Sequence, residues 1–375
     1  MKNSEGHRHL LQTGNLSSLL LRTCGYCRKT HSPPPSLPSG TRDEDYDSRE
    51  GGRTKVIRIQ LVILVLLMVL QPLGGCSRGG PEKNGKQPPI LQLGTLPVLQ
   101  ALPLFVAAEK GYFKEAGINV ELVTFNSAME KDVALSSGQI AGYFGDLMTP
   151  MVLAANGTNV KIVAENFNTP GDRRMFAVVV APKYPKKDLR DIAAAGIASS
   201  SNTVLEYLMV RLLEAKKIPA GKMHLIEVKS IPIRFQMLVS NQVPAAILPE
   251  PLVTLAELKG GRIAVDDAGP GISATVLAFS DEYLAKYPET VKSFLAAIEK
   301  ANDFINTNPD EVRPIMNREC KVPEPLQQSF AIPKFPKLGL PRSEEVMDVY
   351  RWLREKHIIK TEMGYGQIVA QGYVR

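Results

Sequence analysis

Histidine and cysteine are scarce in this chain. Of five histidines only His224 and His357 lie beyond residue 90, and of four cysteines only Cys320 does. That excludes a clustered His/Cys zinc or iron centre in the body, and a structural disulfide there. Dense basic runs are missing as well. Residues 1–75 hold ten Lys/Arg and six Asp/Glu, a net of +4, so +7 − 4 leaves about +3 for the remainder. So mild a charge does not suit a nucleic-acid partner. The apolar run Leu61–Leu70 falls well short of the roughly 20 residues a bilayer span needs. Tryptophan occurs once, at Trp352.

What is present reads as globular. The chain is 44% apolar and 22% charged, and its 375 residues leave room for two domains. The stretch Leu91–Asp146 sets the pattern. Apolar runs at Leu91–Gly94, Ile118–Val123 and Ile140–Phe144 predict buried strands, and helical periods cover Ala101–Ala116 and Ala128–Ser137. Strand–helix alternation at this spacing predicts βαβ units on a parallel sheet, with ligands beyond the carboxyl ends of the strands. Those ends carry Thr95-Leu96-Pro97, Phe125-Asn126-Ser127 and Gly145-Asp146-Leu147. Ser127 with Glu130 three residues on predicts a capping box, so that loop opens a helix and suits an anionic group.

Further helices are predicted at Leu147–Ala155, Leu189–Ala193, from Thr203 through Glu214, and at Pro232–Ser240 and Leu252–Lys259. Strands are predicted at Val160–Ala164, Met175–Val180, Gly196–Ala198, His224–Val228, Ala245–Leu248 and Arg262–Val265, with a loop over Glu165–Arg174. Thr275–Phe279 mirrors Met175–Val180, and helices follow at Glu289–Asn306, Asp310–Asn317 and Ser343–Lys356. The two mirrored strands predict paired crossovers between two α/β lobes, residues 90–180 plus 269–375 and residues 181–268, closing on a hinge.

Ahead of the body, residues 1–52 are Ser/Pro-rich and lack an apolar period, and Cys24-Gly-Tyr-Cys27 within them reads as an incidental CxxC pair. Arg53, Lys55 and Arg58, the run Leu61–Leu70 and Leu73-Gly74-Gly75-Cys76 describe a secretory signal over residues 53–76. Its end resembles a bacterial lipobox, which implies lipidation at Cys76 and a tether to the bilayer; an uncleaved anchor or a plain signal peptide are the alternatives. A polar extension before such a signal suggests a translation start near Arg53–Val56, with residues 1–52 a mis-assigned leader. Residues 77–89 read as a Gly/Pro/Lys linker.

Laid out in order, GTLPVLQALPLFVAAEKGYF, EAGINVELVTF, LSSGQIAGYFGD, IASSSNTVLEYL and QVPAAILPEP resemble the extracytoplasmic substrate-binding proteins of ABC importers, of the nitrate/sulfonate/taurine and thiamine-pyrimidine type. The resemblance spans roughly Leu91 to Lys356. It implies an α/β, two-lobed periplasmic-binding-protein-like type II fold that catalyses nothing and needs no cofactor or metal. It implies a monomer, outside the cytoplasm, that passes a small solute to a membrane permease. The positions matching the family's ligand loops are Leu96, Pro97, Asn126, Ser127, Gly145, Asp146, Ser199, Ser200, Ser201, Asn202, Thr203 and Glu250.

The residues themselves leave alternatives open. The hydroxyls of Ser200, Ser201 and Thr203, with free helix N–H groups, make an anion-ready pocket or serve only as caps. Asp146 and Glu250 would pair with an amine or an aminopyrimidine, or Asp146 caps the helix starting at Leu147. Tyr143, Phe144 and Phe167 are candidates to stack on a flat ring or to pack in the core. Arg173 and Arg174 are a bidentate anion clamp or a solvated pair. No arginine stands out as fixed between the lobes. Two other classes stay in play. An enzyme on this scaffold would need a base or nucleophile that His224 and His357 are badly placed to supply. A tethered sensor would share the same cleft.

Overall fold

The computed structural model describes residues 89–169, 173–269 and 275–374. The Cys24/Cys27 pair, the leader, the signal segment with Cys76 and the linker up to residue 88 lie outside the described residues.

Among the described residues, ten strands form two five-stranded sheets. The first sheet holds β1 (Leu91–Thr95), β2 (Val120–Thr124), β3 (Gly142–Asp146), β4 (Val160–Phe167) and β10 (Thr275–Ser280). The second holds β5 (Phe176–Val180), β6 (Ile197–Ser199), β7 (Leu225–Glu227), β8 (Ala245–Pro249) and β9 (Arg262–Asp266). Their orders are β2-β1-β3-β10-β4 and β7-β6-β8-β5-β9. The inner strands are near-continuous apolar runs, as strands covered on both faces require, and the edge strands β2 and β7 carry Glu121 and Glu227.

The two orders are the same once each sheet is counted from its own first parallel strand. In each sheet three parallel strands lead, and the fourth place is taken by a strand antiparallel to both neighbours, β10 in one and β5 in the other. Each of these antiparallel strands follows a crossing of the chain between sheets. The strand Phe176–Val180, expected to end the first lobe, therefore pairs within the second sheet, and the first crossing ends before it. Its apolar run announces a buried strand; its partners lie some 65–90 residues further along the chain.

The helices are α1 (Leu102–Glu109), α2 (Tyr112–Glu115), α3 (Ala128–Ser136), α4 (Met148–Ala155), α5 (Leu189–Ala195), α6 (Val204–Ala215), α7 (Ile231–Val239), α8 (Leu252–Leu258), α9 (Asp281–Lys286), α10 (Pro288–Thr307), α11 (Pro309–Glu319), α12 (Ser343–Glu355) and α13 (Tyr365–Ile368). The single helix expected over Ala101–Ala116 is broken where Gly111 takes φ +76°, a left-handed turn that ends α1. Strand β4 runs three residues past its expected end, through Phe167. The twenty-residue α10 buries Phe294 against Phe113, rings stacked at 5.5 Å. Helix α12 packs on α4 of the first lobe and meets α6 of the second, where Tyr207 and Trp352 make an edge-to-face pair at 5.6 Å.

Candidate binding cleft

Parallel pairing in register brings the first lobe's strand ends together. Thr95 lies opposite Thr124, and β3 ends beside them at Asp146, so the loops with Leu96, Pro97, Asn126 and Ser127 gather at one sheet edge. Most of the polar atoms there are already used. Ser127 Oγ accepts from the Glu130 N–H at 3.2 Å and caps α3, while Glu130 Oε2 accepts from Asn126 N at 3.3 Å, one residue earlier than a capping box requires. Asp146 Oδ1 accepts from both Met148 N and Thr149 N at 2.9 Å, so Asp146 caps α4.

Below this edge lies a buried cation. Lys131, in the second turn of α3, is 1% exposed; its Nζ is 2.5 Å from Asp132 Oδ1 and 3.7 Å from the centre of the Tyr143 ring. Burial raises the Asp132 pKa, against the pull of Lys131. Gly145 leaves the room this needs: a Cβ there would fall 2.8 Å from the Tyr143 ring and 3.5 Å from Lys131 Nζ. Tyr143, Phe144 and Phe167 are each buried to within 2%, so all three belong to the core and none offers a ring to the cleft. Phe167 instead packs edge-on against Phe335 at 5.4 Å.

The second lobe repeats the arrangement. Ser199, Glu227 and Pro249 close β6, β7 and β8 at the carboxyl edge. In the loop Ser199–Thr203, Asn202 takes φ +58°, a conformation asparagine tolerates. Thr203 Oγ1 donates to Ser200 O at 2.7 Å. Two backbone N–H groups of this loop hold carboxylates of the protein itself. Ser201 N, and the Ser201 hydroxyl, donate to Glu227 Oε2; Asn202 N donates to Glu206 Oε2 at 2.6 Å. The Ser201 hydroxyl bond lowers the Glu227 pKa. Ser199 Oγ is fully buried and has no partner among the described residues.

Arg234 is the residue that sequence reasoning missed. It lies in the apolar helix α7, is 0% exposed, and reaches under this loop. Its guanidinium donates to Val228 O at 2.7 and 3.1 Å, to Ile247 O at 3.1 Å and to Ser200 Oγ at 2.5 Å. All of these partners are neutral. Burial lowers its pKa to about 10. Lys131 and Arg234 occupy equivalent places: each is the fourth residue of a nine-residue helix capped by a serine, Ser127 or Ser230, whose Oγ accepts from the N–H three residues on. The signal lies in the sequence as Ser-x-x-x-Lys and Ser-x-x-x-Arg after the second parallel strand of each lobe.

Glu250 follows β8 and is drawn to the crossing. Arg174 Nε donates to Glu250 Oε1 at 2.8 Å and a second nitrogen pairs with Glu257, while Thr254 N and its hydroxyl donate to Glu250 at 2.9–3.0 Å. Arg173 donates to Ala331 O and Ile332 O at 3.3 and 3.0 Å, so both arginines are tied into the protein. Here a cavity of about 440 Å³ opens between lobes, lined by Arg173, Arg174, Glu250 and Asp266 on one side and by Ser329 and Phe330 on the other. Of the twelve residues expected at the ligand only Glu250 lines it. The other eleven sit at the two carboxyl edges.

The NMT1/THI5-like family profile matches residues 99–312. The chain belongs to the NMT1/THI5-like family. A candidate binding protein of Brucella abortus (strain 2308) is 26% identical over 223 residues, 58% of this chain and 67% of the relative. Among solved structures, the periplasmic aliphatic sulphonate binding protein SsuA of Escherichia coli aligns with a TM-score of 0.66 at 16% identity, over 76% of this chain and 92% of its own. The periplasmic nitrate-binding protein NrtA of Synechocystis PCC 6803 aligns at 0.57 and 16% identity, over 73% and 83%. The desulfurization enzyme DSZB aligns at 0.58 and 17% identity, over 76% and 97%. At such identities the likeness establishes the fold, and this family member has the two-lobed α/β architecture of periplasmic binding proteins.

Proposed function

We propose that the chain is the solute-binding component of an ABC importer, tethered outside the cytoplasm by lipid on Cys76, and that it hands a small polar solute to a permease. The observation that carries this reading is the pair of equivalent sheets joined by two crossings, with a cavity of about 440 Å³ between them lined from both lobes. A solute touching both lobes binds the closed form better than the open one, which makes closure depend on the solute. A non-catalytic role is supported by where the histidines fall. His224 precedes β7 at its amino end and His357 follows α12, so neither stands at a strand's carboxyl end. The acidic residues that suggested a cationic solute are engaged, Asp146 as a helix cap and Glu250 with Arg174.

Thermal-shift screening of the purified protein against ethanesulfonate, taurine, nitrate, 4-aminopyrimidine and thiamine tests the reading. A solute at a hundred times its Kd should stabilise by about 2.7 kcal/mol, an upward shift of several degrees. Recovery of the bound compound unchanged is expected. Its conversion to product would replace binding by the enzyme reading, and no shift with any compound would remove solute capture by this panel's chemistry.

A further inference from the structure

We propose that Glu165 and Glu345 share one proton that pins helix α12 to the first lobe, and that loss of this proton to solvent loosens the contact of α12 with α6 and lets the lobes part. The inference goes beyond the solute-binding reading and does not need it, because this contact joins the lobes whatever binds between them.

Glu345 lies in the first turn of α12 and is largely buried. Its Oε1 accepts from Asn168 Nδ2 at 3.2 Å and pairs with Arg342. Its Oε2 is buried without a partner among the described residues, and so is Oδ1 of Asn168. Both side chains border Glu165, near the end of β4. The Glu165 N–H donates to Gly339 O at 2.7 Å, which holds the strand against the segment leading into α12. Two buried acceptors therefore lack a donor, and a protonated Glu165 carboxyl supplies one. An ionised Glu165 supplies only a further acceptor and a second negative charge.

The other groups facing Glu165 leave this balance in place. Arg342, at the N-cap of α12, is mostly exposed and already committed to Glu345, with Glu344 beside it. Tyr365 of α13 gives its hydroxyl to Pro341 O at 2.8 Å. Helix α4 and strand β10, which also pack on β4, carry no titratable side chain. Burial and the Glu345 carboxylate raise the Glu165 pKa to about 7, so the proton exchanges near neutral pH.

Helix α12 transmits the change. It is one element of 13 residues, about 20 Å long, so a displacement of its first turn reaches its last. Along it Trp352 packs on Tyr207, Asp348 holds the Tyr207 hydroxyl and Arg211, and Lys356 pairs with Glu206. Repulsion between Glu165 and Glu345 thus acts at one end of a helix whose remainder grips the second lobe.

The test is a pH titration of the full chain, followed by Trp352 emission and by the radius of gyration from small-angle X-ray scattering. Far-UV circular dichroism reports whether the chain stays folded. Wild type should show a red shift and a larger radius as pH rises, with a midpoint near 7. E165Q, which keeps a donor and cannot ionise, should hold the low-pH emission and radius throughout. E345Q removes the second charge and should lower the midpoint by about one pH unit or more. H357N removes the histidine just beyond α12, which titrates in the same range, and should leave the transition where it is. Should E165Q fail to fold, E345Q and H357N decide the matter. No transition in folded wild type, a transition unchanged in E165Q or E345Q, or one abolished in H357N would overturn the inference.

Discussion

Asp267 and Thr169, 98 residues apart in the chain, are joined by a 2.7 Å hydrogen bond from the threonine hydroxyl to Asp267 Oδ2. The other oxygen, Oδ1, accepts from Met175 N at 2.8 Å and from Phe176 N at 2.9 Å. One fully buried carboxylate thus fastens the start of the second crossing to both ends of the first. The two crossings are thereby coupled through a single side chain.

Replacing Asp267 by Ala should therefore be costly. Buried backbone donors at Met175 and Phe176 would lose their acceptor, and about 3 kcal/mol or more of stability should go with them. T169V removes one hydrogen bond to a charged group and should cost about 1.5–3 kcal/mol, less than D267A. Urea unfolding followed by far-UV circular dichroism measures both. Equal effects of the two substitutions would show that the backbone donors at Met175 and Phe176 contribute nothing.

Gly145→Ala should destabilise the first lobe by about 1–3 kcal/mol, because the new methyl group would lie 2.8 Å from the Tyr143 ring and the surroundings are packed. Tyr143 in turn covers the Lys131 ammonium, so a displaced ring exposes that charge. Thermal unfolding of G145A beside wild type checks the direction, and a melting temperature equal to wild type would show that the Tyr143 ring yields without cost.

Glu165 gives the fold a pH dependence. Burial first, and then the neighbouring Glu345 carboxylate, raise its pKa from 4.5 to about 7, with Arg342 opposing. The folded state holds the proton more tightly than the unfolded chain. This contribution to stability is complete below about pH 4.5 and is lost as pH rises through about 7. The melting temperature should fall between pH 5.5 and pH 8, and E165Q, which cannot ionise, should flatten that slope. A slope identical in E165Q would place the titration elsewhere.

Much of the fold is legible in the residues. Strand runs such as Ala245–Leu248 and Thr275–Phe279, and helices opened by Ser127 or closed before Gly196, announce themselves through period and cap. What escapes is non-local or runs against residue type. The sheet that Phe176–Val180 joins depends on partners far along the chain, which no local pattern encodes. Helix α9 after Ser280 carries its own signal, a serine cap followed by Asp281 and Glu282, but is short enough to pass for a turn. Arg234 sits in Ile-Pro-Ile-Arg-Phe, where helical period places it on the buried face while its charge argues for the surface. Burial prevails because three neutral acceptors wait inside. For the twelve residues expected at the ligand, the place near strand ends was readable and the hydrogen-bond partners were not: capping by Asp146 and the Arg174–Glu250 pair depend on neighbours that only the folded chain brings near.

The lobes also meet away from the crossings, and Trp352 makes that meeting measurable. Tyr207 of α6 packs edge-on against Trp352 of α12 and donates its hydroxyl to Asp348 at 2.8 Å; Arg211 pairs with the same Asp348 at 3.0 Å, and Lys356 pairs with Glu206 at 2.8 Å. Trp352 is 3% exposed and is the chain's one tryptophan, so its emission reports this contact without ambiguity. Glu206 also holds the N–H of Asn202, which links the contact to the second lobe's cleft loop. K356M leaves Glu206 buried without its cation and should loosen α6 from α12, at a cost of about 3 kcal/mol. A red shift of Trp352 emission in K356M, reversed in part by K356R, is the expected result. Emission unchanged from wild type would mean that the aromatic pair holds the lobes together without the ion pair, and that Glu206 positions the Asn202 loop on its own.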